Sequence, residues 1–444
     1  MSQTPTTAGT PARRAAIASL AGTTIEYYDF FLYGAAAALV FGPQFFPSFS
    51  PVAGALASFG VFGAGFLARP IGGLVMGHFG DRIGRKSMLV MSLLLVGFAT
   101  VGIGLLPNYA TIGVWAPVLL TVLRLLQGFG LGGEWSGAVL MAVEHAPPGR
   151  RALYGIFPQA GVPVGLLLAN LAFFATAGVS TEAFTAWAWR IPFLASIVLV
   201  VFGMIVRVRV AESPAFEDLN RRKAHSRRPL LEAMKNQPRQ ILVSAALPAA
   251  TIMITYVFTV YVLSYLTTSL EVSRSQALLC VLAGTVFFAV SLPICGHLCD
   301  RLGSRRVFLS GVVWLGVAAA VLFPLLETRT PAGLLFGGIL IGIGLGATYG
   351  PVAAMISELF PARVRFSGSS VGYQLGGLLG GAPAPFLAVT FFQLTGSSLG
   401  VTLYMLLLVL VSLLGGIFVA GARRRTEAAA EVGDRLAEPP PVAR

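Results

Sequence analysis

The sequence is a series of long apolar runs separated by short segments that carry most of the charged residues. A helix needs about 20 residues to cross the roughly 30 Å hydrocarbon core of a bilayer. Windows of this length predict twelve membrane-spanning helices, at residues 17–42, 52–79, 87–106, 113–141, 151–177, 187–207, 239–267, 275–298, 306–326, 332–356, 366–394 and 398–421. No segment alternates apolar and polar residues as the strands of a membrane barrel do, so the predicted fold is all-helical.

Composition supports a membrane protein. The chain is 56% hydrophobic and 11% charged, whereas charged residues make up about 25% of a typical soluble domain. The first span contains two acids and is followed directly by another span, so we expect it to remain as a helix and not to be cleaved as a signal peptide. The three cysteines, Cys280, Cys295 and Cys299, lie in or at the end of one span and are predicted to be packing residues.

The basic residues predict the orientation, because Lys and Arg in short loops stay on the cytoplasmic side. Of the 31 Lys and Arg, 26 fall on the side of the two termini. Arg190, Arg274 and Arg329 are on the other side, and Arg69 and Arg124 lie within spans. We expect a multi-pass protein of a prokaryotic inner membrane with both termini cytoplasmic. The net charge of +13 is spread over loops, so it indicates no nucleic-acid partner.

The chain contains an internal duplication. Residues 77–86 read GHFGDRIGRK and residues 296–305 read GHLCDRLGSR, an offset of 219 residues. Each copy follows the second span of its half. The predicted parts are a cytoplasmic N-terminal segment, a first six-helix bundle, a cytoplasmic linker, a second six-helix bundle and a cytoplasmic tail, at residues 1–16, 17–207, 208–238, 239–421 and 422–444.

These motifs resemble the major facilitator superfamily. GHFGDRIGRKSML at 77–89 looks like its loop signature, and the chain is similar to the metabolite:proton symporter family in EYYDFFLYG at 26–34, ARPIGG at 68–73 and RLLQGFGLGGEWSGA at 124–138. The resemblance implies a cavity between two rocking halves and the import of small organic acids or zwitterions with protons. Shikimate, 2-oxoglutarate, citrate, proline and betaine are such substrates. The osmosensing carriers of the family have a long coiled-coil tail, which we do not expect here.

Charged side chains inside a membrane are costly and usually functional or paired. In the first helix Gly22, Glu26, Asp29 and Tyr33 share one inward face, and Asp29 and Arg124 have similar depths. The resemblance implies that the first and fourth helices line the cavity, so we expect Asp29 and Arg124 to meet. The pair is either a structural ion pair or a proton site, with Glu26 as the alternative proton carrier.

Other polar residues have two interpretations each. Arg69 is either an interfacial anchor or a substrate contact, and Glu134 is expected to pair with Arg82 or Arg85. Polar residues in spans commonly join helices, yet together they suggest a cavity for an oxygen-rich molecule. The expected cavity residues are Arg124, Gln127, Gln159, Tyr33, Tyr256, Tyr261, Tyr349, Tyr373 and Gln374. The expected cytoplasmic gate comprises Gly77, Asp81, Arg82, Arg85, Glu134, Asp300 and Arg301.

The sequence predicts a monomeric carrier that imports a small carboxylate by proton symport. The alternatives are a carrier of a zwitterionic osmolyte such as proline or betaine, a sugar carrier, a drug antiporter and, from another class, a membrane-embedded sensor. The sequence has no metal-ligand spacing, nucleotide motif or Ser-His-Asp arrangement, so no enzyme activity and no cofactor are expected. The expected partners are the bilayer, the proton and a small molecule.

Overall fold

The fold is that of a computed structural model. It describes residues 9–437 except 84, 133, 135–137, 140–141, 143–150, 177, 209–233 and 361–364. Side chains are described from Ala16 to Ala422, except within these gaps and at 77–86, 151–153, 208 and 365–367. Residues 209–233, which make up most of the predicted linker, and the side chains of the loop signature at 77–86 therefore lie outside the described residues.

The first half of the chain forms six long helices. They are α1 (Gly9–Ala36), α2 (Pro51–Ile83), α3 (Arg85–Leu105), α4 (Trp115–Leu131), α5 (Arg151–Phe174) and α6 (Arg190–Val208). The second half repeats this order with α7 (Pro238–Tyr256), α8 (Arg274–Leu302), α9 (Ser304–Glu327), α10 (Pro331–Glu358), α11 (Arg365–Gly380, resuming as Ala384–Thr395) and α12 (Ser398–Ala437).

The twelve predicted helices are present. Ten helices of the described chain are long and apolar enough to cross a membrane, and α1 and α4 complete the set. Several helix bounds differ from prediction by a few residues, and α1 already begins at Gly9. Two further differences change the course of a helix. The eleventh span breaks at 381–383, because Pro383 cannot donate a helical hydrogen bond, and the helix restarts behind it. The residues after 421, predicted as a tail, continue α12 to Ala437.

Helix packing repeats between the halves, as the duplication predicts. In the first half α1 packs on α5, α2 on α4, and α3 on α6; in the second half α7 packs on α11, α8 on α10, and α9 on α12. Even a local irregularity recurs, since α1 and α7 both continue into a π-helical turn, at Ala37–Phe41 and Val257–Tyr261. The halves meet where α5 contacts α8, α2 contacts α11, and α1 contacts the π-turn that follows α7.

Glycine allows α2 and α4 to touch backbone to backbone. A Cβ added at Gly128 would collide with the carbonyl oxygen of Gly65, and one added at Gly132 would collide with the carbonyl oxygen of Arg69. Close approach through small residues is a common mode of helix association in membranes. It fixes the position of Arg69, the residue at the centre of the candidate site, against α4.

Candidate functional site

The candidate site is a cavity between the two halves, here called the central cavity. Helices of both halves contribute to its wall, so a rocking motion of the halves would change its access. Its lining residues are Tyr27, Phe31, Arg69, Val162, Thr251, Ile252, Thr255, Tyr256, Phe288, Tyr349 and Tyr373. The wall is largely aromatic and carries phenol and threonine hydroxyls and one guanidinium, as suits a small polar ligand.

A second cavity, here called the acidic cavity, adjoins the first and shares Tyr27, Arg69 and Tyr373 with it. Its other lining residues are Thr23, Glu26, Leu131, Glu134 and Gln374. Arg69 therefore faces a phenol-lined space on one side and two carboxylates on the other.

Arg69 is a buried cation with free hydrogen-bonding capacity. Only 7% of the residue is exposed, and its Nε and Nη2 atoms have no hydrogen-bond partner in the described structure. The guanidinium is held between aromatic rings, 4.4 Å from the centroid of Phe30 and 4.6 Å from that of Phe66. Such stacking stabilises the charge without using its N–H donors. Those donors remain for a ligand, so of the two predicted roles of Arg69 the geometry favours substrate contact.

Phenols and threonines surround this cation. The hydroxyl of Tyr349 lies 2.8 Å from that of Tyr373, and Tyr256 packs edge-on against Phe66 with ring centroids 5.1 Å apart. Thr251 and Thr255 lie one helical turn apart on α7 and face the same space. The arrangement can hold the carboxylate of a ligand at Arg69 and its hydroxyl groups at the phenols.

Arg124, expected in the cavity, lies behind it. This fully buried guanidinium is 4.0 Å from the ring centroid of Phe30, 4.3 Å from that of Tyr33 and 4.7 Å from that of Phe62. Its Nη1 donates to Gln127 at 3.1 Å. Neither of the two cavities is lined by Arg124 or Gln127. Phe30 stacks on both arginines, so this ring separates Arg124 from the cavity that Arg69 enters.

The predicted contact between Asp29 and Arg124 is wrong for this conformation. Asp29 is fully buried, and neither of its carboxylate oxygens has a hydrogen-bond partner in the described structure. Thr100 lies beside it, and Thr100 accepts a 2.7 Å hydrogen bond from Gln127. The two charges thus make no direct contact: Arg124 bonds to Gln127, Gln127 bonds to Thr100, and Thr100 lies beside Asp29 without a hydrogen bond to it. A similar depth inferred from the sequence does not determine which way a side chain points.

Glu26 and Glu134 share a partner that the sequence reasoning missed. Arg207, in the last turn of α6, forms ion pairs with both carboxylates, at 3.1 Å for Glu26. Ser92 donates to the carbonyl of Gly130 at 2.7 Å and approaches Glu26 and Glu134 at 3.4 and 3.3 Å. In the sequence Arg207 is one of the 26 basic residues on the side of the termini, at the end of an apolar run.

The remaining predicted residues divide into three groups. Tyr256, Tyr349, Tyr373 and Gln374 line the cavities. Tyr33 packs under Arg124, Tyr261 stacks on Tyr265, and Gln159 donates across the halves to the carbonyl of Tyr349 at 3.4 Å, so these three do not line them. Of the gate, Asp300 and Arg301 are exposed at the end of α8, and the side chains at Gly77, Asp81, Arg82 and Arg85 lie outside the described ones.

Several lining residues were not predicted. Tyr27 and Phe31 lie four residues apart on α1, next to the face that carries Glu26 and Asp29. Thr251 and Thr255 show the same spacing on α7. In the sequence these residues could have been found only as pairs of polar or aromatic residues one helical turn apart within a span. Such pairs occur in many of these helices, so the pattern does not identify the ones that line the cavity.

At the end of the helices opposite the start of α1, contacts made by Arg274 join the two halves; this set of contacts is here called the latch. Arg274, at the first residue of α8, donates to the backbone carbonyls of Thr176 and Val179 at 3.0 and 2.9 Å, and its guanidinium lies 3.9 Å from the ring centroid of Phe184. All three partners belong to the first half. Arg190 makes similar contacts within the first half alone, with the carbonyls of Gly104 and Leu106 and the ring of Trp189.

Removing the latch should open the cavity on this side. The contacts of Arg274 are worth on the order of 2 kcal/mol, so Arg274→Ala should raise labelling of a cysteine at Thr255 by an impermeant maleimide roughly thirtyfold. The measurement uses right-side-out vesicles and a background without the native cysteines. Arg190→Ala is the matched control and should leave labelling unchanged. Equal labelling of both variants would show that Arg274 does not hold the halves together.

Comparisons with known proteins agree with this architecture. Residues 14–240 match the family model "Sugar (and other) transporter", and residues 245–442 match the model "Major Facilitator Superfamily". The chain is similar to solved structures of the xylose transporter XylE from E. coli; one, a partially occluded inward-open form, has a TM-score of 0.72 at 16% identity and covers 93% of this chain and 98% of that chain. At this identity the likeness concerns the fold.

Several curated proteins have a higher sequence identity to this chain than these solved structures. The chain is 43% identical over 379 residues to the inner membrane metabolite transport protein YhjE of Escherichia coli K12, covering 84% of this chain and 86% of that protein. It is 40% identical to the shikimate transporter of the same organism, over 93% and 95% of the two chains. It is 31% identical to the proline/betaine transporter of that organism, over 91% and 83%.

Proposed function

The chain belongs to the major facilitator superfamily of membrane transporters, and we propose that it imports a small organic acid by proton symport. It is a metabolite transporter and not an enzyme, and the family resemblance predicted from its motifs is confirmed. Transport through alternating access is the mechanism that tandem six-helix halves with a site between them support.

One observation carries the choice of an acid. Arg69 offers unpartnered N–H donors to a cavity between the halves. A buried guanidinium without an anion is an energetic cost that a ligand carboxylate would remove. The planar fork of arginine matches a carboxylate with two parallel hydrogen bonds. Aromatic stacking on Phe30 and Phe66 keeps the fork oriented before the ligand arrives.

The rest of the central cavity favours an acid that also carries hydroxyl groups. Tyr27, Tyr256, Tyr349 and Tyr373 bring phenols to the cavity wall, and Thr251 and Thr255 add two hydroxyls opposite. Each of these oxygens can accept a hydrogen bond from a ligand hydroxyl, and Thr251, whose hydroxyl has no partner in the described structure, can also donate one. A cyclic hydroxy acid such as shikimate, the substrate named for one relative, would satisfy both the cation and the hydroxyls.

Concentrating the acid against its gradient requires a coupled driving force, and the proton is the coupling ion that we propose. The candidate carriers are the buried carboxyl groups of the first half. Asp29 remains a candidate because it is fully buried and unpartnered in the described structure, and Glu26 because it lines the acidic cavity beside Arg69. Thr100 and Gln127 lie between Asp29 and Arg124. Arg124 could therefore take part in proton coupling with Asp29 only in a different conformation.

A zwitterion is the second candidate substrate. The aromatic rings of Tyr27, Phe31 and Tyr256 line the space next to the carboxylates of Glu26 and Glu134. Rings and carboxylates together bind ammonium groups, including quaternary ones. A ligand such as betaine would place its carboxylate at Arg69 and its cation toward those rings. Against it, both glutamates are already engaged by Arg207.

We further propose an inner-membrane location with both termini cytoplasmic, on the evidence of the basic loops. The cavities are built from a single chain, so a monomer is expected to suffice for transport.

The test is uptake by purified protein in liposomes with an acidic exterior. The substrate panel comprises labelled shikimate, 2-oxoglutarate, citrate, proline and betaine. We expect an organic acid to accumulate several-fold above protein-free liposomes, and collapse of the pH gradient by a protonophore to abolish the accumulation. Accumulation of proline or betaine alone would establish the zwitterion carrier instead. Uptake of none, together with ligand-dependent binding of a signalling partner, would favour the sensor.

A further inference from the structure

Four charged groups meet around the acidic cavity. Arg69, Glu26 and Glu134 line it, and Arg207 forms ion pairs with both glutamates from behind. All four residues are buried. With both carboxyls ionised, the two cations and two anions balance. The four charges of the empty carrier therefore sum to zero, although Arg69 still has two nitrogens without a hydrogen-bond partner in the described structure.

A substrate carboxylate at Arg69 upsets this balance. It would take the donors of Arg69 and add one negative charge beside Glu26 and Glu134. Three anions would then face two cations in a space that excludes most water. Like charges at such distances in a buried site favour binding of one proton, because two neighbouring carboxylates cannot both stay ionised without a cation each.

We propose, on the basis of the proposed import of an organic acid, that one proton is transported with each monovalent acid. The carboxylates of Glu26 and Glu134, both ion-paired with Arg207, share this proton. On the outer side a proton from water forms an O–H bond with one of the two carboxylates as the acid binds. On the inner side that bond breaks and the proton returns to water when the acid leaves. No electrons move, and the loaded cavity is again neutral.

The groups around the pair support this assignment. Ser92 of α3 approaches both carboxylates and can bond to either protonation state. The phenols of Tyr27 and Tyr373 and the amide of Gln374 share the cavity. Arg69 of α2 and Arg207 of α6 are the cations that face it. Asp29 lines neither cavity, so a substrate carboxylate at Arg69 has no direct contact with it.

The first experiment needs no variant. Purified wild-type protein in weakly buffered detergent is mixed with shikimate, and proton uptake is followed with a pH indicator while calorimetry counts the bound acid. About one proton should be taken up per molecule bound. In liposomes, uptake of this monovalent acid should be driven by a pH gradient and should not respond to an imposed membrane potential. Binding without proton uptake would overturn the proposal and leave the anion site standing.

The second experiment assigns the proton to its residues. Glu26→Gln and Glu134→Gln should each reduce accumulation in a pH gradient at least about tenfold while exchange of labelled for unlabelled shikimate continues, because exchange needs no net proton movement. Glu182→Gln, which alters a fully exposed carboxylate on a short loop helix, is the control. If Asp29→Asn abolishes accumulation and both glutamine variants retain it, the proton is carried by Asp29 and the proposal is wrong. If wild-type protein binds no acid at all, the proposed function and this inference fall together.

Discussion

Replacing Arg69 with glutamine is expected to weaken carboxylate binding by a factor on the order of 100 or more. A buried, hydrogen-bonded charge pair contributes about 2–5 kcal/mol when one partner is removed, and 1.4 kcal/mol corresponds to tenfold in affinity. Glutamine keeps an N–H donor but loses the charge, the second donor of the fork and the stacking on Phe30 and Phe66. Calorimetric titration of the purified variant with shikimate measures the loss directly.

Arg69→Lys separates charge from geometry. Lysine retains the charge, yet it cannot form two parallel hydrogen bonds with a carboxylate or stack as a plane. Binding should fall roughly tenfold, between wild type and Arg69→Gln. Arg190→Gln is the matched control, because Arg190 also stacks on an aromatic ring but does so away from the cavities. Wild-type affinity in Arg69→Gln would exclude Arg69 as the substrate contact and return Arg124 to consideration.

The sequence was sufficient for the architecture because membrane crossing imposes a strong and local pattern. Each apolar run of about 20 residues must become a helix, since no water satisfies the backbone inside a bilayer. The duplication of residues 77–86 at 296–305 then predicted the matched packing of the two halves. The break of α11 before Pro383 was missed, although Gly380, Gly381 and Pro383 together provide a helix-stopping signal.

The site was predicted only in part, because the sequence does not determine how each helix is rotated about its own axis. Membrane position gives the depth of a residue to within about a turn, but which neighbour it faces depends on the packing of all the helices. Asp29 and Arg124 are predicted at similar depths, and their side chains lie in different surroundings. Glu26 and Glu134 were both identified, while their shared partner was not, because Arg207 resembles any basic residue that ends a membrane helix.

Arg207→Gln is expected to be among the most destabilising single changes in the first half. Arg207 ties α6 to Glu26 on α1 and to Glu134, three residues after the end of α4, and it donates to the carbonyl of Leu89 on α3. Its loss leaves two buried carboxylates without their cation, and breaking a buried pair in this way costs about 3–5 kcal/mol. The melting temperature in detergent, followed by tryptophan fluorescence, should fall by roughly 10 °C.

The cause of that loss can be separated from a simple loss of packing. In the triple variant Glu26→Gln, Glu134→Gln, Arg207→Gln the three side chains of the ion-pair cluster carry no charge, and their amides can bond to each other and to Ser92. Replacing a whole buried ion cluster by neutral groups is often close to neutral in stability, so the triple variant should regain most of the melting temperature that the single variant loses.

Acidic buffer should also raise the melting temperature of Arg207→Gln, because protons neutralise the carboxylates left behind. Arg301→Gln, at an exposed position of α8, is the control and should have the melting temperature of the wild type. A triple variant no more stable than Arg207→Gln would show that Arg207 acts through its packing and not through its charge, and would remove the electrostatic basis for a proton shared by Glu26 and Glu134.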